Sequence, residues 1–235
     1  MQTIAKILAS TTAIAVSSLP VFADTKSYDL SGFDEISISS GIDAEITIGS
    51  DFSIVADARN RDTFDKLDIS VRGHTLYIDR DGSVVDLLFG DRERLSLKIT
   101  LPELDEIDAN AGSDVFISGV FGDRLTASAS SGADIELENV TSAEVSLTAS
   151  SGAKIEAIGS CKSLEIDVSS GADVKARELE CETVDASASS GAGTDVFASE
   201  SITSRASSGG DVNVYGAPKN TDISNSTGGG TDLRD

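Results

Sequence analysis

From about residue 105 onward, apolar side chains keep fixed distances from a recurring glycine. The string Ser130-Ser131-Gly132-Ala133-Asp134-Ile135 returns as Ser150-Ser151-Gly152-Ala153-Lys154-Ile155 and as Ser169-Ser170-Gly171-Ala172-Asp173-Val174, with looser copies around Gly112, Gly191, Gly209 and Gly228. These glycines stand 20, 20, 19, 20, 18 and 19 residues apart, a steady period that marks a solenoid. Seven residues before the glycine come Leu125, Val145, Leu164, Val184 and Ile202; five before come Ile107, Ala127, Leu147, Ile166, Ala186 and Ile223. Three before it runs a row of small residues, Ala109, Ala129, Ala149, Val168, Ala188 and Ala206. Three and five after it come pairs such as Val115 with Ile117, Ile135 with Leu137 and Val212 with Val214. All these rows alternate with polar residues at period two, the pattern of strands with one buried face and not of helices.

Each coil therefore holds two short strands, one entering the Ser-Ser-Gly turn and one leaving it. A second turn falls near Asn139-Val140-Thr141-Ser142, Gly159-Ser160 and Glu178-Leu179-Glu180. The pattern predicts an all-β fold, a right-handed, flattened parallel β-helix of about 20 residues per coil, in which the opposite half of each coil serves as the crossover. Six intervals at about 4.8 Å give a stack of roughly 29 Å. Gly112, Gly132, Gly152, Gly171, Gly191, Gly209 and Gly228 read as structural turn residues, because so tight a reversal needs a positive φ. The serines beside them read as scaffold, since no base sits at a fixed offset to activate one as a nucleophile.

Residues 24–104 are β-rich but irregular. Alternation runs through residues 35–40, 44–48, 52–58, 67–71, 76–79 and 95–100, and Arg72-Gly73-His74 reads as a hairpin step. Ser39-Ser40-Gly41 resembles the later turns, so this part is expected to be an early, atypical run of coils that caps the core. The apolar insertion Val84-Val85-Asp86-Leu87-Leu88-Phe89-Gly90 interrupts it; a cap over the core is preferred to an exposed contact for a partner. Ahead of this region, Lys6 is followed by an uncharged apolar run and then by Pro20, Val21, Phe22 and Ala23. That layout predicts a signal peptide over residues 1–23 and an exported domain over 24–235, with 24–104 irregular and 105–235 regular. The expected location is the periplasm, the cell surface or the surrounding medium. No cysteine follows the predicted cleavage point to carry a lipid anchor, and no later stretch reaches the roughly 18 apolar residues of a membrane span.

Charge narrows the function. With 40 Asp and Glu against 18 Lys and Arg, the net charge is -22, which argues against nucleic acid or an anionic membrane as partner. One His and two Cys exclude most zinc sites. Coils varying only between 18 and 20 residues leave no room for the insertions that build a catalytic cleft, and three Tyr with no Trp make a poor floor for sugars. His74 stands alone on the hairpin and reads as a surface turn residue. No catalytic or cofactor-binding residue is expected, and a polysaccharide-active enzyme is the least favoured reading. Calcium is the alternative: Asp114, Asp134, Asp173, Asp195, Asp211 and Asp232 follow the turns. Asp195 and Asp232, in Gly191-Ala192-Gly193-Thr194-Asp195 and Gly228-Gly229-Gly230-Thr231-Asp232, are the candidate ligands. Against this, only one turn per coil has the glycine, and Lys154 occupies an Asp position, so aspartates accepting turn amides are preferred.

The two cysteines fit the repeat. Cys161 and Cys181 each precede a turn glycine by ten residues, which places them on adjacent rungs roughly 5 Å apart. Both a disulfide and a pair of buried thiols are compatible with that placement, and export into an oxidising compartment favours the disulfide.

In order along the chain come Gly32-Phe33-Asp34-Glu35-Ile36, Gly73-His74-Thr75-Leu76-Tyr77-Ile78, Thr100-Leu101-Pro102-Glu103-Leu104 and Ala111-Gly112-Ser113-Asp114-Val115, and then the serial Ser-Gly repeats. This combination resembles the bacterial exported proteins of the putative autotransporter adhesin head GIN domain family, and the resemblance covers nearly all of residues 24–235. It implies a right-handed β-helix without catalytic residues and a role in adhesion or binding at the cell envelope, with a protein or glycan partner. Homo-oligomers through the ends of the helix are a further possibility. Only seven residues follow Gly228, so the expectation is a chain that does not carry its own translocation barrel.

Overall fold

The computed structural model describes residues 24–80 and 95–234; the expected signal peptide and the 84–90 insertion lie outside the described residues. The chain runs through β1 (Asp24–Tyr28), β2 (Glu35–Ile38), β3 (Asp43–Ile48) and β4 (Ser53–Ala58) to a short 3-10 helix (Arg61–Lys66). It continues with β5 (Leu67–Arg72), β6 (Thr75–Arg80), β7 (Leu95–Leu101), β8 (Glu106–Ala109), β9 (Asp114–Ser118) and β10 (Phe121–Ala129). Four long strands follow: β11 (Asp134–Ala149), β12 (Lys154–Val168), β13 (Asp173–Ala188) and β14 (Gly193–Ala206). The described chain closes with β15 (Asp211–Tyr215), β16 (Asn220–Asn225) and β17 (Gly230–Leu233).

Strands β10 to β17 form a parallel solenoid, the architecture the apolar rows predict. Ile135 pairs with Ile155 and Leu147 with Ile166, each one coil on, and Ile155 pairs in turn with Val174. The predicted rows face inward and are buried, from Leu125, Val145 and Leu164 to Ile135, Ile155 and Val174; Ile223 departs from its row, 39% exposed in β16, where every side chain is exposed on the last coil. Burying each of these side chains contributes roughly 1.5–3 kcal/mol, so a coil with five of them anchors itself to its neighbours.

The region expected to form the second turn is itself a short third wall. In β11, Glu138 and Asn139 both turn outward, Val140 and Ser142 pack inward around exposed Thr141, and Ala143 and Glu144 turn outward again. Two consecutive outward residues cannot belong to one flat strand, so each such pair marks a corner. Asn139 takes φ 56° at the first corner, and the ladder shifts register between Leu137 and Val140. One coil on, Gly159 fills the place of Val140 with φ 148°, where a Cβ would overlap the Val140 carbonyl.

The turns closing each coil have positive φ at two residues. Ser131 and Gly132 take 55° and 73°, Ser151 and Gly152 55° and 72°, and Ser170 and Gly171 56° and 69°. Two such residues in succession make a type I′ turn, so the sequence pattern located the glycine but missed the left-handed serine before it. The Ala133 amide closes the turn on the Ser130 carbonyl at 3.2 Å, and the Gly132 amide donates to the Ser151 carbonyl of the next coil, also at 3.2 Å. The hydrogen-bonded stack thus continues through the turn.

The base departs from sequential stacking. β2 pairs in parallel with both β6 and β8, and β3 with both β7 and β9. The coil formed by β2 and β3 is therefore sandwiched between the later pairs β6–β7 and β8–β9. Antiparallel strands close the bottom: β4 lies on β7, β1 on β4, and β5 on β6 through the expected hairpin at Gly73. Phe33, its ring 5.0 Å from that of Phe52, and Phe64 fill this wider base.

Gly152 and Gly159 separate two reasons for glycine. A Cβ at Gly152 would meet nothing within 4 Å, so Gly152→Ala should cost only the left-handed penalty of roughly 1–2 kcal/mol. Gly159→Ala should cost more, because it must displace the Val140 backbone. Ser151→Asn, which suits a left-handed turn position, should cost nothing in the same urea titrations; equal losses at Gly152 and Gly159 would contradict this account.

Candidate functional site

With the core filled by side chains, any site must lie on the outward faces, which the turns and corners divide into three walls. On the wall leaving the turn, in-register pairing lines up carboxylates. Asp114 lies directly beside Asp134, and Asp43 approaches it from the other side, one residue before the Ala44–Val115 pair. Partial burial first, then repulsion from Asp43 and Asp134, pushes the Asp114 carboxyl above its ordinary range. Lys154 is next in the column and relieves the run. Its Nζ lies 2.5 Å from Glu156 Oε2; this hydrogen bond is the main cause that raises the lysine and lowers the glutamate. These residues, with Phe116 and Lys98, line an open groove of about 480 Å³.

The calcium candidates fall on this wall without converging. Asp134 and Asp173 flank Lys154, and Asp211 lies beyond Gly193 in the same column. Asp195 and Asp232 lie in the next column, two rungs apart with Asn213 between them. Asn213 donates to Asp195 at 2.8 Å and accepts from Arg234, whose guanidinium also meets Asp232 at 3.0 Å. The positive charge there is thus an arginine. Among the described residues no group of three or more His, Cys, Asp or Glu is placed to hold a metal ion. His74 is exposed at the hairpin, its Nδ1 3.7 Å from the Asp34 carboxylate.

At the turn edge, the hydroxyls of Ser39 and Ser40 donate to Asp79 at 3.0 and 2.6 Å, and Ser130 bonds the Asn110 side chain. Partial burial works to raise the Asp79 pKa, but hydrogen bonds from Ser40, the Arg80 amide and Ser39 outweigh it and hold the carboxyl below its usual range.

On the third wall, Cys161 and Cys181 are direct partners in the β12–β13 ladder, with Cα atoms 4.5 Å apart and a disulfide between them. Ser142 and Ala198 occupy the same inward column on either side. In the ladder it bridges, Ser160, Cys161 and Ser163 pair in register with Glu180, Cys181 and Thr183, whereas the next ladder, β13–β14, shifts at Ala176/Glu180 and at Cys181/Thr183. The covalent link thus reinforces a rung whose backbone pairing is intact.

A repeating coil of about 20 residues, a filled core and polar outward walls define a parallel β-solenoid. The chain belongs to the family described as "Putative auto-transporter adhesin, head GIN domain", whose model matches residues 32–218. Among solved structures it is similar to a putative adhesin from Bacteroides fragilis NCTC 9343, with TM-score 0.79 and 16% identity over 91% of this chain and 97% of that one. A putative adhesin from Parabacteroides merdae ATCC 43184 gives 0.70 and 13% over 91% and 96%. A putative lipid binding protein from Parabacteroides distasonis ATCC 8503 gives 0.68 and 17% over 91% and 97%. At these identities the likeness is one of fold. Comparison with curated proteins finds no match. The family and these neighbours carry names of adhesins or of a lipid binding protein, not of enzymes. No helix among the described residues is long and apolar enough to cross a membrane.

Two measurements probe the outward chemistry. The unreduced protein should be lighter by two hydrogens than the reduced form, and the double substitution Cys161→Ser, Cys181→Ser should lower stability by about 3 kcal/mol for a loop of this size; recovery of two free thiols would remove the staple. Asp114→Asn should raise the melting temperature at pH 7. A raised folded pKa means that ionisation of Asp114 opposes folding, so the gain should vanish as pH falls below the carboxylate range and shrink in high salt. A gain that persists in acid would point to packing instead.

Proposed function

We propose that residues 24–235 form one exported, non-enzymatic binding domain that meets a component of the bacterial cell envelope or its surroundings through the outward walls of its coils. The observation that carries this reading is the uniformity of the coils. From Gly112 to Gly228 the period stays between 18 and 20 residues, so no long loop rises over a wall to enclose a substrate, and the outward surface is continuous. Catalysis on a polymer needs a recess that excludes water and converging acid and base groups; the coils from Gly112 to Gly228, which carry no insertion, offer an extended polar surface instead. Family membership supports adhesion as the kind of binding involved. The leader-like residues 1–23 and the stacked cysteines both suit an oxidising compartment outside the cytoplasm.

Sedimentation with isolated bacterial envelopes tests the proposal. Folded protein comprising residues 24–235 should bind saturably and be released intact, while polygalacturonate incubated with it should keep its chain length. No saturable retention, or equal retention of heat-unfolded chain, would refute the binding role, and shortening of the polymer would refute the non-enzymatic one.

A further inference from the structure

The third wall carries an outward column unlike the others. Phe121 pairs with Thr141, Thr141 with Ser160, Ser160 with Glu180 and Glu180 with Phe197, so one aromatic ring stands at each end of a short polar run. Four rungs at about 4.8 Å separate the two phenylalanines by roughly 19 Å along the stack. From Gly122, next to Phe121, to Phe197 the wall is dished into a groove of about 550 Å³, lined among others by Thr141, Ser160, Lys162, Glu180 and Glu182, with the Phe121 ring just outside its lining.

Two features make this groove a receptive surface. Phe121 is 64% exposed, the most exposed of the large apolar side chains among the described residues. Phe197 is held firmly: its ring lies against Gly216, where a Cβ would come within 2.9 Å of it. Beside it, Arg177 stacks on the Tyr215 ring at 4.2 Å. Between the aromatic ends, the Thr141 and Ser160 hydroxyls, the Lys162 ammonium and the Glu180 and Glu182 carboxylates engage no partner among the described residues. Rings spaced along an axis, with unpaired short polar groups between them, match the surface of a sugar chain, which offers C–H faces to aromatics and hydroxyls to side chains.

We propose that this groove binds a neutral oligosaccharide laid along the stack, with sugar faces on Phe121 and Phe197 and hydroxyls on Thr141, Ser160, Lys162 and Glu180. The net charge of -22 and the free carboxylates of Glu180 and Glu182 disfavour uronate or sulfated chains. An extended peptide is disfavoured because the backbone here is already paired on both sides and offers no free edge. The inference rests on the binding role proposed above and names its partner class.

Calorimetry with chitotetraose, cellotetraose and tetragalacturonate tests it. At least one neutral tetramer should bind saturably and tetragalacturonate should not; Phe121→Ala should weaken the binding roughly tenfold, as the loss of one stacking platform. Because Phe121 is exposed, this variant should melt like the parent protein, and Phe197→Ala gives a second reading from the other end. Absence of heat with both neutral tetramers, binding undiminished in both variants, equal binding of tetragalacturonate, or binding of a basic peptide in place of sugar would each overturn the inference. Envelope sedimentation of the double variant separates the two levels. Retained envelope binding without neutral-sugar binding sinks only the glycan site, whereas no envelope binding by the parent protein sinks the binding role itself.

Discussion

Everything in this molecule depends on the in-register parallel ladder, in which each coil hands its amides and carbonyls to the next at a fixed rise. The ladder passes through the turns, where Gly132 donates to Ser151 and Gly152 to Ser170, so a coil has no freedom to slip at its turn edge. Fixed register puts each inward side chain over its counterpart one coil on, and the local gap between walls then sets the size of each column. Near the turn the walls converge and the column is alanine from Ala109 to Ala206 except at Val168; farther away Leu, Ile and Val enter, as at Leu147 and Ile166. The scarcity of large aromatics follows from that thin core, and Phe33 and Phe64 appear inside only where the antiparallel base widens it.

The same constraint acts on the outside with less comfort. Stacking like over like brings Asp43, Asp114 and Asp134 together, and their mutual repulsion is a cost the backbone imposes on the side chains. Lys154 interrupts the run, and Arg234 reaches back across a rung to Asn213 while also meeting Asp232 two residues before it. The acidic surface as a whole opposes edge-to-edge association of long strands, so a local cost accompanies a global gain in solubility.

What the amino-acid pattern revealed follows from this physics. Period-two burial inside a period of about 20 is a strong signal, so the apolar rows, the turn glycines and the placement of Cys161 beside Cys181 were all legible. The third wall was not, because Val140, Gly159 and Leu179 share a column but no chemical character, and the corner beside them varies in length. The left-handed serines were hidden by their ordinary identity. The base was hidden for another reason: β2 and β3 lie between β6–β7 and β8–β9, and nothing in a sequence without repeats announces that its stacking order differs from its chain order. The aromatic column escaped notice because Phe121 precedes Gly132 by eleven residues while Phe197 follows Gly191 by six; only backbone pairing reveals that they are aligned.

Length variation and chemical variation coincide on that wall for a single reason. The two long walls and the turn keep a constant residue count and therefore repeat their chemistry from coil to coil. The coil between Gly191 and Gly209 is shortened to 18 residues, and the slack is taken up at the third wall, where Ala176 and Glu180 pair with the consecutive residues Val196 and Phe197. Once register can shift, neighbouring coils need not present the same side chain, and Phe, Thr, Ser and Glu can follow one another in one outward column. The disulfide lies on the same wall, adding a covalent link to the in-register β12–β13 rung beside the shifted β13–β14 ladder. The wall freest to differ is thus the one fastened covalently, and that combination lets a surface depart from the repeat without loosening the stack beneath it.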